Sequence, residues 1–207
     1  MIPLVKDTVA FVVTKGGYDI SEVLNSLSGF KEVRVWDNSQ PADLKVYGRY
    51  VKMYQAVYLD KLPKNSIVYT QDDDVIVSDH QAILNAYEPD TIVCNMPPEF
   101  QKVYAHIGLG LVGFGACFDY QCTKVFNHYR GPGDVIFLNE CDRLLTGLNK
   151  LKYVDVPKRN MEYATAPDRM YHRRNHEADF KEILRRIQTQ NSSVLRICND
   201  RHNLPDV

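Results

Sequence analysis

The chain has 207 residues, of which 44% are hydrophobic and 25% charged, and its net charge at pH 7 is -1. This composition is typical of a globular protein and excludes a disordered, collagen-like or coiled-coil chain. A net charge near zero also excludes a global electrostatic attraction to nucleic acid. No apolar run approaches the roughly 18 residues that span a bilayer, so we expect no membrane partner. The length predicts a single domain over 1–207.

The cysteines are odd in number and contain no CxxC pair, which argues against a disulfide framework or a zinc ribbon. Free cysteine is among the residues most often buried. We therefore expect a protein of a reducing compartment whose five cysteines are mostly buried thiols: Cys94, Cys117, Cys122, Cys141 and Cys198.

The first half of the chain alternates β-branched apolar runs with amphipathic ones. These patterns predict strands over 8–13, 31–36 and 66–70 and helices over 19–27 and 47–59. The order β-α-β-α-β predicts a parallel sheet covered by helices. Because ligands of such sheets lie at the carboxyl ends of the strands, we expect the three loops that follow these strands to share one edge.

The second half is less regular. It predicts a helix over 80–87, a chain break at the two prolines 97 and 98, and a strand or loop in the glycine-rich run 107–118. A helix should open at Gly133 or Asp134 and end near 145, with Gly147 as its C′ residue. Strands are also predicted over 90–95, after the first of these helices, and over 152–156, the last predicted strand.

The sharpest feature is the acidic triplet Asp72-Asp73-Asp74, which follows the third strand directly. Three successive carboxylates at a buried strand end repel one another, and a divalent cation would compensate for that repulsion. Mg²⁺ is commonly held by one or two carboxylates together with substrate phosphates. Side chains alternate along an extended segment, so Asp72 and Asp74 should face one way and Asp73 the other. A solvated acidic turn is the alternative interpretation.

Three motifs in order carry a resemblance to a known family: the Gly16-Gly17 turn after the first strand, Asp37-Asn38-Ser39 after the second, and YTQDDDVIV at 69–77. Together they resemble the GT-A-type nucleotide-sugar glycosyltransferases, including family-two and exostosin-like members, over residues 8 to 80 and more weakly to about 180. The resemblance implies an α/β, Rossmann-like, mostly parallel central sheet flanked by helices. It also implies a nucleotide-sugar-binding half over about 1–95 and an acceptor half over about 96–207 with a basic C-terminal helix.

The resemblance implies roles for several residues on the donor side. Asp37 would contact the nucleotide base or ribose with support from Asn38, although Asn38 could equally form a plain Asx turn. Arg49 would pair either with the diphosphate or with the acidic triplet. The expected donor is a UDP-sugar. Five further residues would bind it: Thr14, Asp72, Asp73, Arg173 and Arg174.

The implied cofactor is Mn²⁺ or Mg²⁺, with Asp74 as the principal ligand and Asp72 and His176 completing the site. The chemistry favours a cation because the leaving group is a nucleoside diphosphate, whose developing negative charge must be neutralised. For His176 the alternative is a structural histidine.

On the acceptor side, Asp134 matches the acid that opens the acceptor helix of the family, where it would serve as general base. Gly133 stands where the family has a first acid, and a simple N-cap is the alternative role of Asp134. Gly113 and Gly115 are predicted points of close approach by the sugar or acceptor, or else glycines of a loosened strand.

We therefore expect a metal-dependent glycosyltransferase that moves a sugar to a hydroxyl acceptor. Between residues 158 and 201 the chain carries ten Lys/Arg and six Asp/Glu. This local excess of positive charge suits a polyanion, so the acceptor could be a hydroxylated base in phage DNA. That source implies a cytoplasmic protein of a bacterium or a phage-infected host cell. The alternatives are a nucleotidyltransferase and a non-catalytic nucleotide- or metal-binding module.

Overall fold

The structure is a computed structural model that describes residues 2–131, 133–166 and 176–190, with the side chains of 178–186 in the last segment. Within these ranges, the helices are all too short or too polar to cross a membrane.

Eight strands and six α-helices form the described fold. The strands are β1 Val9–Thr14, β2 Glu32–Asp37, β3 Ile67–Asp72, β4 Val75–Val77, β5 Thr91–Asn95, β6 Ala116–Asp119, β7 Lys150–Val154 and β8 Lys158–Asn160. The helices are α1 Ser21–Ser26, α2 Tyr47–Tyr58, α3 His80–Asn85, α4 Pro98–Tyr104, α5 Val135–Gly147 and α6 His176–Gln190. Short 3-10 helices cover Val5–Asp7, Ala105–Ile107, Tyr120–His128 and Glu162–Thr165.

The central sheet has six strands in the order β2-β1-β3-β6-β5-β7. The β1 strand is parallel to both β2 and β3, and β5 is parallel to β7. The β6 strand runs antiparallel between β3 and β5. The predicted α/β class with a mostly parallel sheet flanked by helices is therefore confirmed.

The central strands are buried on both faces, which explains their continuous apolar sequence. Along β1, Phe11 belongs to a core cluster with α2 and α5, whereas Val12 belongs to a second cluster with α3 and with Leu27, which follows α1. This alternation follows from the two-residue period of a strand. The four described cysteines are free and buried, as predicted for them, and Cys198 lies outside the described residues.

Several local predictions were wrong. The β3 strand continues through Asp72 instead of stopping at residue 70, and Val75–Val77 pairs with β8, a strand that the sequence did not predict. Pro98 does not break the chain but starts α4, because proline lacks only an N–H that the first helical turn leaves unbonded. Gly147 is the last residue of α5 rather than its C′ residue.

Candidate functional site

The predicted donor residues meet at the carboxyl edge of the sheet. In the strand register, Thr14 pairs with Asp37 and Val13 pairs with Asp72. Since β1 lies between β2 and β3 and neighbouring strands are about 4.8 Å apart, the backbones of Asp37 and Asp72 are about 10 Å apart. The prediction that the loops after β1, β2 and β3 share one edge is confirmed.

The loops after β1 and β2 are joined to each other. The Asn38 amide donates to the Thr14 carbonyl at 2.9 Å, and the Gly16 amide donates to Thr14 Oγ1 at 3.0 Å. Gly16 has a φ of +80°, and a Cβ there would lie 2.6 Å from Ser39 Cβ. Only glycine fits this conformation and this spacing, so the Gly16 turn positions Thr14 against the second loop.

Asp37 and Asn38 differ in what their side chains do. Hydrogen bonds from the Ser39 hydroxyl and then from its amide, which lies 2.8 Å from Asp37 Oδ1, hold the pKa of Asp37 below its usual value. The Asn38 side chain accepts from the indole of Trp36 at 2.9 Å and donates to the Lys45 carbonyl at 2.9 Å. Asp37 therefore presents an ionised carboxylate, while Asn38 fixes the loop that leads to α2.

Arg49 is a fully buried cation beside the acidic triplet. Its Nη2 donates to Asp72 Oδ1, its Nη1 donates to Thr70 Oγ1 at 3.2 Å, and Asp142 Oδ2 lies 3.8 Å from Nη2. Burial alone would lower the pKa of Arg49, but the two carboxylates outweigh it and raise that pKa above its ordinary value. Of the two pairings expected for Arg49, the structure shows the one with the triplet.

Asp142 was not among the predicted residues. It lies on α5, and the Tyr50 hydroxyl donates to its Oδ1 at 2.5 Å. Burial and then the Asp142 charge raise the pKa of Tyr50 well above its usual value, so the phenol remains a donor. Asp72, Arg49, Asp142 and Tyr50 thus form one chain of contacts, the Arg49 cluster. No local sequence signal marks Asp142, because its partners lie more than 90 positions away.

The triplet itself sits at a tight turn between β3 and β4. Asp73 is buried, whereas Asp72 and Asp74 on either side are partly exposed. The extended segment on which the predicted alternation depended ends at Asp72, because Asp73 and Asp74 form the turn. The backbone carbonyl of Asp73 accepts from the Tyr163 hydroxyl, and that of Asp74 accepts from the Met161 amide, each at 2.8 Å. The segment around residue 162 therefore holds the turn in place.

Lys158 is a second cation near the triplet that the sequence did not indicate as part of the site. Its Nζ lies 3.7 Å from the centroid of the Phe114 ring, and its neighbouring charges are Asp74 and Glu99. Burial lowers the pKa of Lys158, and the two carboxylates partly oppose that shift. Two basic side chains thus interact with the triplet: Arg49 contacts Asp72, and Lys158 interacts electrostatically with Asp74.

The glycine-rich segment approaches the triplet closely. The Asp72 amide donates to the Gly113 carbonyl at 2.9 Å, and a Cβ on Gly113 would lie 2.0 Å from Asp72 Oδ2. Gly115, at a φ of +104°, lies in the same way against the Tyr69 hydroxyl. Both glycines are points of close approach, and the groups that approach them are side chains of β3.

Asp134 precedes α5, but its side chain makes no capping hydrogen bond to the helix backbone. Its Oδ1 accepts from Arg186 Nη1 on α6 at 2.9 Å, only 6% of the side chain is exposed, and Oδ2 is buried with no hydrogen-bond partner among the described residues. Eight residues of helix separate Asp134 from Asp142, about 12 Å along the axis. The structure thus keeps Asp134 apart from the Arg49 cluster.

The remaining predicted residues lie at the margin of the described structure. The α6 helix runs antiparallel to α5, since Arg186 bonds Asp134 while Phe180 contacts Gly147 near the other end of α5. His176 begins α6, and its side chain is outside the described part, as are Arg173 and Arg174 entirely. Within the described ranges no three His, Cys, Asp or Glu residues are grouped closely enough to hold a metal ion.

Comparison of the chain with protein-family models and with curated proteins found no match.

Proposed function

We propose that the protein is a metal-dependent glycosyltransferase that moves a sugar from a nucleotide diphosphate sugar to a hydroxyl acceptor. One observation carries the proposal: the turn of Asp72 and Asp74 lies at the same sheet edge as Thr14 and Asp37, beside the permanent cation Arg49. Carboxyl edges of parallel strands are where α/β proteins bind nucleotides. The GT-A resemblance of the motifs points to the same edge.

The donor atoms at the turn fit a Mg²⁺ or Mn²⁺ ion that also binds phosphate. Such ions often take only one or two protein carboxylates, with phosphate oxygens and water completing the shell, so three grouped protein ligands are not required. Asp72 is 37% exposed, and with Oδ1 on Arg49 its Oδ2 projects over Gly113. Asp72 and Asp74 are the proposed ligands, with His176 as a third candidate.

The ion and the residues around it would have separate roles in the reaction. Bound at the turn, the metal would neutralise negative charge that develops on the leaving diphosphate. Asp37 would accept hydrogen bonds from ribose hydroxyls, next to the loop that Thr14 holds. Arg49 would fix the Asp72 carboxylate, because its buried guanidinium donates to Oδ1 of that side chain.

Asp134 is the proposed general base, a role that the GT-A resemblance implies for the acid opening the acceptor helix. Its distance from the Arg49 cluster is consistent with an acceptor that enters from the α5–α6 side and a sugar that lies in between.

Differential scanning fluorimetry tests the proposal. The wild type and Asp74→Asn would be melted with UDP, GDP, CDP or dTDP, each with and without Mn²⁺. A nucleotide at 100 times its dissociation constant stabilises the folded state by about 2.7 kcal/mol, a rise in melting temperature of about 5–10 °C. We expect one diphosphate, foremost UDP, to give that rise only with the metal, and Asp74→Asn to abolish it.

The matched control is Asp7→Asn, an exposed carboxylate that precedes β1 at the opposite sheet edge. It should melt and respond like the wild type. The absence of any metal-dependent rise with all four diphosphates would reject the proposed function.

A binding module without turnover is the second candidate, and the ion pairs made by Asp72 and Asp134 favour it, because both carboxylates already have partners. The two candidates differ in one measurement. A transferase releases nucleoside diphosphate from its sugar donor when acceptor or water attacks, whereas a binding module shows the melting shift and no release.

A further inference from the structure

A groove of about 580 Å³ lies between α2 and the 3-10 helix Tyr120–His128, and none of the three triplet residues lines it. Aromatic rings make up most of its lining. We call this feature the aromatic groove and define it by Tyr47, Tyr54, Tyr58, Tyr120, Phe126 and Tyr129. Its volume is in the range of ligand-binding sites, about 300–1,000 Å³. The proposed donor site uses none of these six residues.

Two of the rings are presented to solvent. Tyr54 is 55% exposed and Tyr58 is 47% exposed, and the rings stack on each other with centroids 4.4 Å apart. They lie one helical turn apart on α2, so each is held by the helix at a fixed position. Exposed aromatic side chains that form a contiguous patch commonly mark an interaction surface.

The charge of the groove has one sign. Lys64 and Lys124 line it, both are exposed, and no aspartate or glutamate is among the residues that line it. The Lys64 ammonium lies 5.1 Å from the centroid of the Tyr58 ring, and neither lysine forms an ion pair with another described residue. The groove therefore offers aromatic faces and unneutralised positive charge to one ligand.

Single-stranded nucleic acid is the polymer whose chemistry matches both features. Proteins that bind it combine a basic groove along the phosphate backbone with aromatic rings on which the bases stack. A neutral glycan would use the rings but would leave the two lysines without partners. We propose that the aromatic groove binds single-stranded nucleic acid, with Tyr54 and Tyr58 stacking on bases and Lys64 and Lys124 contacting phosphates.

The groove is long enough for several nucleotides. It follows α2 from Tyr47 to Tyr58, a length of about 17 Å. Because α2 connects parallel strands, Tyr47 lies towards the carboxyl edge of the sheet and Tyr58 towards the amino edge. Tyr50 contributes to the groove while its hydroxyl contacts Asp142, so the groove adjoins the Arg49 cluster. The inference does not depend on the proposed transferase activity.

The test is fluorescence anisotropy of a 5′-labelled oligodeoxythymidylate, titrated with the full chain at several salt concentrations and without metal or nucleotide sugar. Stacking on one aromatic side chain contributes about 1–3 kcal/mol per base, or about 5-fold or more in affinity. We expect the double variant Tyr54→Ala/Tyr58→Ala to bind at least about 10-fold more weakly. Tyr54→Phe/Tyr58→Phe keeps both rings and should stay within about 3-fold of the wild type.

Salt dependence tests the lysines separately, on exposed positions where substitution leaves the core unchanged. Each phosphate contact to a single strand contributes about 0.7 to the slope of log K against log salt. Lys64→Ala/Lys124→Ala should reduce that slope by about 1.4. The matched control Lys31→Ala/Lys102→Ala removes two exposed lysines outside the groove and should leave the slope unchanged.

Three results would overturn the inference: no oligonucleotide binding by the wild type, unchanged affinity and slope in both groove variants, or binding of a neutral hexasaccharide in place of the oligonucleotide. Each of them leaves the nucleotide-diphosphate melting test untouched. Conversely, a failed melting test would not alter the oligonucleotide titration, so the two proposals can fail separately.

Discussion

Replacing Arg49 by methionine is the most direct test of the Arg49 cluster. The substitution keeps the volume of the side chain approximately and removes a cation that is completely buried. It would leave Asp72 and Asp142 close to each other with no positive charge between them. Both carboxylates would lose their counter-charge, but their side chains are 37% and 26% exposed, so water offsets part of the cost.

The size of the effect follows from the geometry. At the 3.8 Å between Arg49 and Asp142, two unit charges attract by about 4 kcal/mol at an effective dielectric constant of 20. The shorter contact to Asp72 adds to this, while the cost of burying Arg49 opposes both. We expect Arg49→Met to lower the free energy of unfolding by about 1–3 kcal/mol, against the 5–15 kcal/mol typical of a domain, since solvent screens the two carboxylates in part.

Urea denaturation followed by circular dichroism would measure this loss. The control is the triple variant Arg49→Met/Asp72→Asn/Asp142→Asn, which removes all three charges and should recover most of the lost stability. A loss below about 1 kcal/mol for Arg49→Met, or no recovery in the triple variant, would refute the assignment of the cluster as a coupled ion-pair network.

Three further predictions concern Gly113, His80 and Asp134. Gly113→Ala should displace the Asp72 carboxylate, because the new Cβ would lie 2.0 Å from Oδ2; we expect loss of the metal-dependent melting shift, and an unchanged shift would contradict this. Burial lowers the pKa of His80 to about 4, whereas the pKa of histidine in the unfolded chain is about 6.5. The free energy of unfolding should therefore be highest above pH 6.5 and fall as the pH drops towards 4, because protons bind the unfolded chain more tightly. From about pH 7.5 to pH 5.5, the free energy of unfolding should fall by up to about 1.4 kcal/mol more in the wild type than in His80→Phe, as measured by denaturation at each pH. Equal losses in the two proteins would exclude the histidine as the cause. Asp134→Asn should reduce sugar transfer by about 10²–10⁴-fold, whereas Arg186→Met, which breaks the same ion pair, should retain transfer; equal losses in the two variants would indicate that the pair acts only structurally.

The sequence by itself determined the α/β class and the edge at which Thr14, Asp37 and Asp72 meet. Both follow from local signals: apolar periodicity, turn residues and the alternation of strands and helices. Once successive strands are parallel, their carboxyl ends must lie on the same side, so the meeting of these residues needs no knowledge of side-chain packing. The sequence did not determine where the strands end, and β3 extends to Asp72 because the pairing with β1 continues that far.

Only the tertiary structure decided which side chains contact one another at that edge. Arg49 could have turned to a ligand or to the triplet, and the packing of α2 against the sheet places it on Asp72. Asp142 joins through α5, 92 residues from Tyr50, and β8 pairs with β4 across a similar separation along the chain. The aromatic groove likewise requires α2 and the Tyr120–His128 helix to lie side by side. Contacts over such separations depend on how helices pack on the sheet as a whole, and a local pattern of residues does not contain that information.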